Sequence, residues 1–239
     1  MALPNITVPH FKLELPISGI TVTYRPFLVK EEKILMMARE ANDEESITQA
    51  TEQIVSACVN DEIDIKTLPT FELEYLFINI RAKSVGEQVD LRYRHSGGVN
   101  KEGVACDVST EISINLEHVE LKSDEGHTDK IMLTDDVGVK MKYPTFGSAD
   151  AIRRDSMENV VSMIAHCIEY IFDKEQIYDD TTTTFEEKLQ FVENLNQEQL
   201  LNINKFFDTM PRLEHEITYK CGGCGQEEKI TLRGISDFF

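Results

Sequence analysis

Tryptophan is absent from this 239-residue chain, and no apolar run reaches the roughly 18 residues a membrane-spanning helix needs. The opening Met-Ala-Leu-Pro-Asn lacks the basic and apolar blocks of a secretory leader. Cysteine is sparse and odd in number, five in all, with one close pair, Cys221 and Cys224. That usage argues against a disulfide framework and fits a reducing compartment. Cations are short as well: 24 Lys and Arg stand against 43 Asp and Glu, a net charge of −19. Such a surface repels phosphate backbones and anionic lipid, so broad binding to nucleic acid or membrane is not expected. No G-x-S-x-G, P-loop, dinucleotide fingerprint or H-E-x-x-H occurs. A non-enzymatic protein is expected.

With 41% hydrophobic residues the chain is able to bury a core. Phe11 to Leu15 alternates, Pro16 to Gly19 turns, and Ile20 to Tyr24 returns, a hairpin. Ile34, Leu35, Met37, Ala38 and Ala41 predict one buried helical face, and Asn42 with Glu45 a cap for the next helix, striped by Ile47, Ala50, Ile54 and Cys58. A third helix follows Pro69, with Glu72 and Glu74 in its first turn. The middle reads as β: Val89 to Tyr93, a turn at Ser96-Gly97-Gly98, a longer strand from about Val104, and a hairpin around Asp135-Asp136. A helix from Ser148 carries Met157, Val160, Val161, Ile164 and Ile168 on one stripe. Capping pairs at Thr184–Glu187 and Asn196–Gln199 open two short helices before Pro211. Two strands then flank the Cys221–Cys224 turn. Strand pairs and helix clusters that do not alternate predict an α+β fold. A domain break is placed near residue 88, giving residues 1–87 and 88–239.

Charge is uneven along the chain. Residues 171–198 hold eight acids against two lysines, while 81–101 holds five cations against two acids. The basic stretch pairs either with the protein's own acids or with a phosphate backbone. The acidic stretch reads as a helical face able to keep an apolar or basic partner soluble.

Cys221-x-x-Cys224 is the sharpest chemical signal. Two thiolates at this spacing on a glycine-rich turn suit one tetrahedral metal, with zinc as the expected ion. A redox reading would need the pair at a helix start, and here it lies between strands. The segment Leu91–Gly98 echoes Ile217–Cys224, which nominates His95 and Cys106 as the completing ligands. A turn histidine and a core cysteine are the competing readings of those two. Cys58 and Cys167 fall on apolar stripes and read as core. His118 and His127 read as surface residues.

Several blocks resemble the baseplate hub family of T-even-type contractile-tailed bacteriophages. They are Arg25–Lys33, Leu68–Phe77 with Arg81–Gly86, Val139–Pro144, and the run from Phe206 through Cys224 to Phe239. The resemblance implies a late viral protein, a hub subunit or a hub-assembly factor acting while the hub forms round the tape-measure protein. It implies other baseplate hub and tail proteins as partners, and a place in the host cytoplasm and the virion tail baseplate. Relatives often carry a second cysteine knuckle near His95; His95-Ser-Gly-Gly98 replaces it here, implying a mixed ligand set. Phe206, Phe238 and Phe239 are expected to be exposed aromatics that grip a partner. The alternative is a zinc-ribbon nucleic-acid binder using 81–101.

Overall fold

The computed structural model describes residues 6–41, 43–60, 63–99, 103, 105–148 and 159–238. The fold is α+β, and the chain is divided between two compact units. The first contains Met1–Ile63, Phe71–Lys122 and Arg212–Phe239; the second contains Asp64–Thr70 and Ser123–Pro211. The segments interleave, so position 88 lies inside the first unit rather than at a boundary. Among the described residues no helix is long and apolar enough to cross a membrane.

In the first unit, β1 (Phe11–Glu14) and β2 (Thr21–Tyr24) form the expected antiparallel hairpin, with Phe11 opposite Tyr24. Its turn is held by a buried carboxylate: Glu72, fully enclosed, accepts the N–H groups of Ile17 and Ser18 at 3.0 and 2.7 Å. Glu72 belongs to α3 (Thr70–Val85), which also buries Leu73, Leu76, Phe77 and Ile80. The first-turn acid read as a helix-dipole partner is thus an internal hydrogen-bond acceptor.

Helix α1 (Val29–Ala41) buries Glu31, Leu35 and Ala38. Met37 and Ala41, expected on the same face, are exposed, because the covered stripe runs 31-35-38 instead. Helix α2 (Glu44–Cys58) is capped by Asp43, whose Oδ1 accepts the Ser46 N–H at 2.7 Å. The cap expected at Asn42 therefore moves one residue on; Asn42 itself lies outside the described residues.

Glu31 knots these elements together. Its carboxylate meets the Arg25 guanidinium at 3.0 Å and accepts the Leu28 N–H at 2.8 Å, and Arg25 also donates to the carbonyl of Ala57. Ser84 Oγ takes the Phe27 N–H at 2.9 Å. Burial alone would raise the Glu31 carboxyl, but the Arg25 and Leu28 hydrogen bonds outweigh it and hold it below its usual range.

Two sheets complete the unit. β3 (Gln88–Val99) pairs antiparallel with β4 (Ala105–Asn115), and β10 (Arg212–Lys220) sits between β5 (Glu120–Lys122) and β11 (Glu227–Arg233). β3 does not turn at Ser96-Gly97-Gly98. It continues to Val99 with a register slip between Ser96 and Val99, so the glycines form an irregularity within the strand rather than a knuckle. The basic stretch is largely paired internally: Lys83 with Glu87 and Glu117, Arg92 with Glu111, Arg94 with Asp107. Lys101 lies outside the described residues.

In the second unit, β6 (Lys130–Met132), β7 (Gly138–Met141), β8 (Ile168–Phe172) and β9 (Ile177–Tyr178) form a four-stranded antiparallel sheet in sequence order. Helices α4 (Asn159–Cys167), α5 (Phe185–Glu193) and α6 (Gln197–Thr209) pack with it around Val139, Met141, Ile164, Ile168, Ile203 and Phe206. Ile168 was expected on the helical stripe. It opens β8 instead, because the β-branched and aromatic run Ile-Glu-Tyr-Ile-Phe pairs with β7. Residues 149–158, with Met157, lie outside the described residues. Both expected capping boxes are present, at Thr184–Glu187 and Asn196–Gln199.

Much of the acidic stretch is used within this unit. Asp173 accepts the N–H groups of Glu175 and Gln176, Asp179 caps Thr181, and Glu187 closes its capping box. Asp180 meets Lys188, whose buried ammonium also donates to the carbonyl of Ile168 at 3.0 Å. His127 is half-buried rather than a free surface residue: its ring nitrogens lie 2.9 Å from Thr209 Oγ1 and 3.0 Å from Tyr143 Oη.

The expectation of exposed aromatics is corrected. Phe206 is 2% exposed in the core of the second unit, and Phe238 is fully buried in the first. Both complete cores because a phenyl ring gains about 1.5–3 kcal/mol on full burial. Phe239 lies outside the described residues.

Glu31→Ala strands the Arg25 guanidinium and should cost about 3 kcal/mol in chemical denaturation. The folded carboxyl is depressed, so its contribution is complete above about pH 4.3, the usual value for glutamate. Wild-type stability should therefore fall as pH drops through the lower folded pKa, and Glu31→Ala should show a shallower acid loss.

Candidate metal centre

One face of β4 carries Cys106, Val108, Thr110, Ile112 and Ile114, by the two-residue period of a strand. Ile112 and Ile114 are buried, and so is Cys106 at the far end. The β10–β11 hairpin, Glu214 opposite Arg233 through Lys220 opposite Glu227, carries the Cys221–Cys224 turn to this face. Tyr93 and Tyr219 meet with ring centroids 6.4 Å apart. The two hairpins related by the sequence echo are thus side by side.

The turn is shaped by backbone hydrogen bonds. The Cys221 N–H donates to the Gln226 carbonyl at 2.8 Å, and the Gly225 N–H to the Cys221 carbonyl at 2.9 Å. Gly225 adopts a φ of +75°, a conformation glycine reaches without steric cost. Thr110 Oγ1 accepts the Gly222 N–H at 3.1 Å and clips the turn to β4. Gly223 lies so close to β4 that a Cβ there would stand 2.7 Å from Val108 Cγ2 and 3.0 Å from Cys106 Sγ.

Three sulfurs converge as a result. Cys106, Cys221 and Cys224 place their Sγ atoms within 4.8 Å of one another, with Cys106 and Cys221 at 3.6 Å. That separation is far beyond the roughly 2.05 Å of a disulfide. It is close to the ~3.8 Å edge of a zinc tetrahedron built on ~2.3 Å Zn–S bonds. N–H donation from Cys224 and Gly223 brings the Cys221 thiol down to about 6, a thiolate at neutral pH. Burial, then the adjacent thiols of Cys221 and Cys224, push Cys106 up to about 11. A cation would relieve the second effect by stabilising the deprotonated thiols together.

The expected quartet is thus placed in part. Cys106, Cys221 and Cys224 come together. His95 stands in β3 opposite Val108, and its side chain lies outside the described residues. The backbone opposite Cys106 is the irregular stretch around Gly97 and Gly98. Thr110 was not singled out from sequence, although its spacing of four from Cys106 puts both on one strand face. Cys58 and Cys167 are core residues as read, and burial raises their thiols to about 11 and about 12.

The family described as T4 bacteriophage base plate protein matches residues 8–239. The chain is 26% identical over 234 residues to the baseplate hub assembly protein gp26 of Enterobacteria phage T4, covering 96% of this chain and 98% of that one. No solved structure gives a significant match.

The close packing of Gly223 separates two otherwise similar substitutions. Gly223→Ala should destabilise by about 1–3 kcal/mol in denaturant titration, since its methyl must displace Val108 or the Cys106 thiol. Gly222→Ala, with only Thr110 Oγ1 at 3.7 Å from the new Cβ, should stay within about 0.5 kcal/mol of wild type.

Proposed function

Because this chain belongs to the T4 bacteriophage base plate protein family, we propose that it is a non-enzymatic factor in assembly of the baseplate hub. The observation that carries the reading is the near end-to-end alignment with a hub assembly protein. A shared domain grafted onto an unrelated chain would not align over both full lengths. Its partners are other baseplate hub and tail proteins, with the tape-measure protein among them, met in the host cytoplasm and at the tail baseplate. It works by protein–protein contact, as an assembly chaperone or as a hub subunit.

The internal pairing of Lys83, Arg92 and Arg94, three of the five cations of the proposed patch, weighs against the nucleic-acid alternative. Exposed ion pairs of this kind contribute little stability, but each lowers the positive potential available to a phosphate.

Within this role the three-thiol cluster is a structural zinc site, with Cys106, Cys221 and Cys224 as ligands and His95 as the fourth. Bound zinc would supply a cross-link between β4 and the C-terminal hairpin and no catalysis. The residues fit the ion by donor chemistry: three sulfurs within 4.8 Å of one another, with backbone N–H donation to one of them.

Two measurements test this reading. Tagged protein drawn from infected cells should retrieve other hub proteins, and retrieval of no tail protein would overturn the assembly role. Elemental analysis of purified protein should give one zinc per chain, lost in Cys221→Ser and Cys106→Ser and weakened in His95→Ala. Unchanged zinc in Cys106→Ser would remove that ligand from the site.

A further inference from the structure

A cleft of about 480 Å³ opens in the second unit, between the ends of β8 and β9 and helix α5. Its floor is apolar, lined by Val137, Ile171, Phe172 and Phe191. Ile177, paired with Phe172 across β8 and β9, is 57% exposed and extends the apolar surface beside it. The volume falls within the ~300–1,000 Å³ of ordinary ligand pockets, and apolar walls that face water are stabilised by being covered.

The charged groups that line this cleft are all acidic. Asp173 and Glu187 belong to its walls, and among the described residues no lysine or arginine lines it. Both carboxylates are held in place by neutral donors, which leave their charge uncancelled. Asp173 accepts the N–H groups of Glu175 and Gln176 at 2.8 Å and the Tyr178 hydroxyl at 3.0 Å, and Glu187 accepts the Thr184 N–H at 2.8 Å. The backbone N–H of Gln176 then of Glu175 on Asp173, and of Thr184 on Glu187, hold both carboxyls below their usual range, so both are ionised at neutral pH. The surroundings have the same sign. The Asp135-Asp136 turn and residues 173–188 hold eight acids against two lysines. Each of those lysines already has a carboxylate, Lys174 with Asp136 and Lys188 with Asp180, and Lys130 lies over the Phe172 ring at 4.6 Å.

We infer that this cleft is a docking site for a segment of a partner protein in which a lysine or arginine adjoins a large apolar side chain. The floor takes the apolar side chain, and Asp173 and Glu187 receive the cation through charge-assisted hydrogen bonds. A small hydrated cation would leave the floor uncovered, and an acidic segment would be repelled by the surrounding carboxylates. A second copy of this chain is disfavoured by repulsion between two bodies of net charge −19. The same field steers a basic segment toward the cleft. The inference rests on the assembly role proposed above and adds the partner's chemistry and its place of contact.

The test uses the full-length protein and an array of overlapping peptides covering the virus's own tail proteins. Wild type should retain peptides in which Lys or Arg adjoins Leu, Ile, Phe or Met. Asp173→Asn combined with Glu187→Gln removes both charges but keeps an acceptor at each position, so the turn and the capping box survive. That double variant should weaken retention about tenfold. Thr183→Trp, which fills the cleft and leaves its charge alone, should weaken it by a similar factor. Glu40→Gln, at an exposed acid on α1, should change nothing. Replacing the peptide's basic residue by Glu, or its apolar neighbour by Ser, should abolish retention. Absence of retention by wild type, or retention unchanged in either the double variant or Thr183→Trp, overturns the site. So does stabilisation of wild type by spermidine with no peptide retained, which would mark a polyamine site. A dimer that Thr183→Trp dissociates would mark a second copy as the occupant and overturn it equally. If the variants bind as wild type while tagged protein still retrieves hub proteins, the cleft fails and the assembly role stands. If wild type retains these peptides and tagged protein retrieves no tail protein, the assembly role fails and the cleft stands.

Discussion

Residues 212–214 of β10 pair with residues 120–122 of β5, and this short ladder returns the C-terminal segment to the first unit after the whole of Ser123–Pro211. Everything at the candidate site depends on that return. Closing so long an excursion costs entropy, though only logarithmically in its length. The cost is offset by apolar burial along the returning segment: Leu213, Leu232 and Phe238 are fully enclosed and Ile235 nearly so. Once β10 is fixed, β11 follows by hairpin pairing, and the Cys221–Cys224 turn lands on β4. The Thr110 clip and the Gly223 close approach then set where the sulfurs stop. A metal at that point would lock a closure that backbone pairing had already made, which is a structural duty and not a chemical one.

The strongly acidic composition is managed locally. Glu31 is neutralised by Arg25, and Glu72 accepts two backbone N–H groups of the β1–β2 turn. Asp43, Asp173, Asp179 and Glu187 cap helices or turns. Carboxylates employed in this way satisfy orphan backbone donors. Two of the blocks that carry the family resemblance meet in this internal network. Arg25 and Glu31 come from the first block, and Glu72 and Ser84 from the second. These blocks are therefore intelligible as folding determinants, which explains why they name a lineage without naming a reaction. Among the described residues Arg81, in the second block, has no ion pair, and its Nη1 is buried without a hydrogen bond.

Local rules carried the sequence reading far. The β1–β2 hairpin, the two capping boxes, the β6–β7 hairpin and the core positions of Cys58 and Cys167 all follow from turn chemistry and periodicity within about ten residues. The same rules failed where two local signals competed. Ile168 fits the helical stripe of α4 by spacing, yet β-branched and aromatic neighbours favour β8, and only pairing with β7 decides. Ser96-Gly97-Gly98 has the composition of a turn, but opposite Cys106 it is an irregularity in a continuing strand. Phe206 and Phe238 showed no local sign of being enclosed, because burial is a property of what other segments place over them.

The sequence by itself determined the elements, the acidic character, the Cys221–Cys224 turn and the kinship with baseplate proteins. It also pointed to Cys106 through the echo between two hairpins. Tertiary structure decided which sulfurs meet, that most of the basic stretch is matched by the protein's own carboxylates, and that two acids of the acidic stretch line an apolar cleft. The division has a physical cause. Turns, caps and amphipathic stripes are fixed by contacts between near neighbours in the chain. Cys106 and Cys221, 115 residues apart, are brought to 3.6 Å only by long-range pairing of strands.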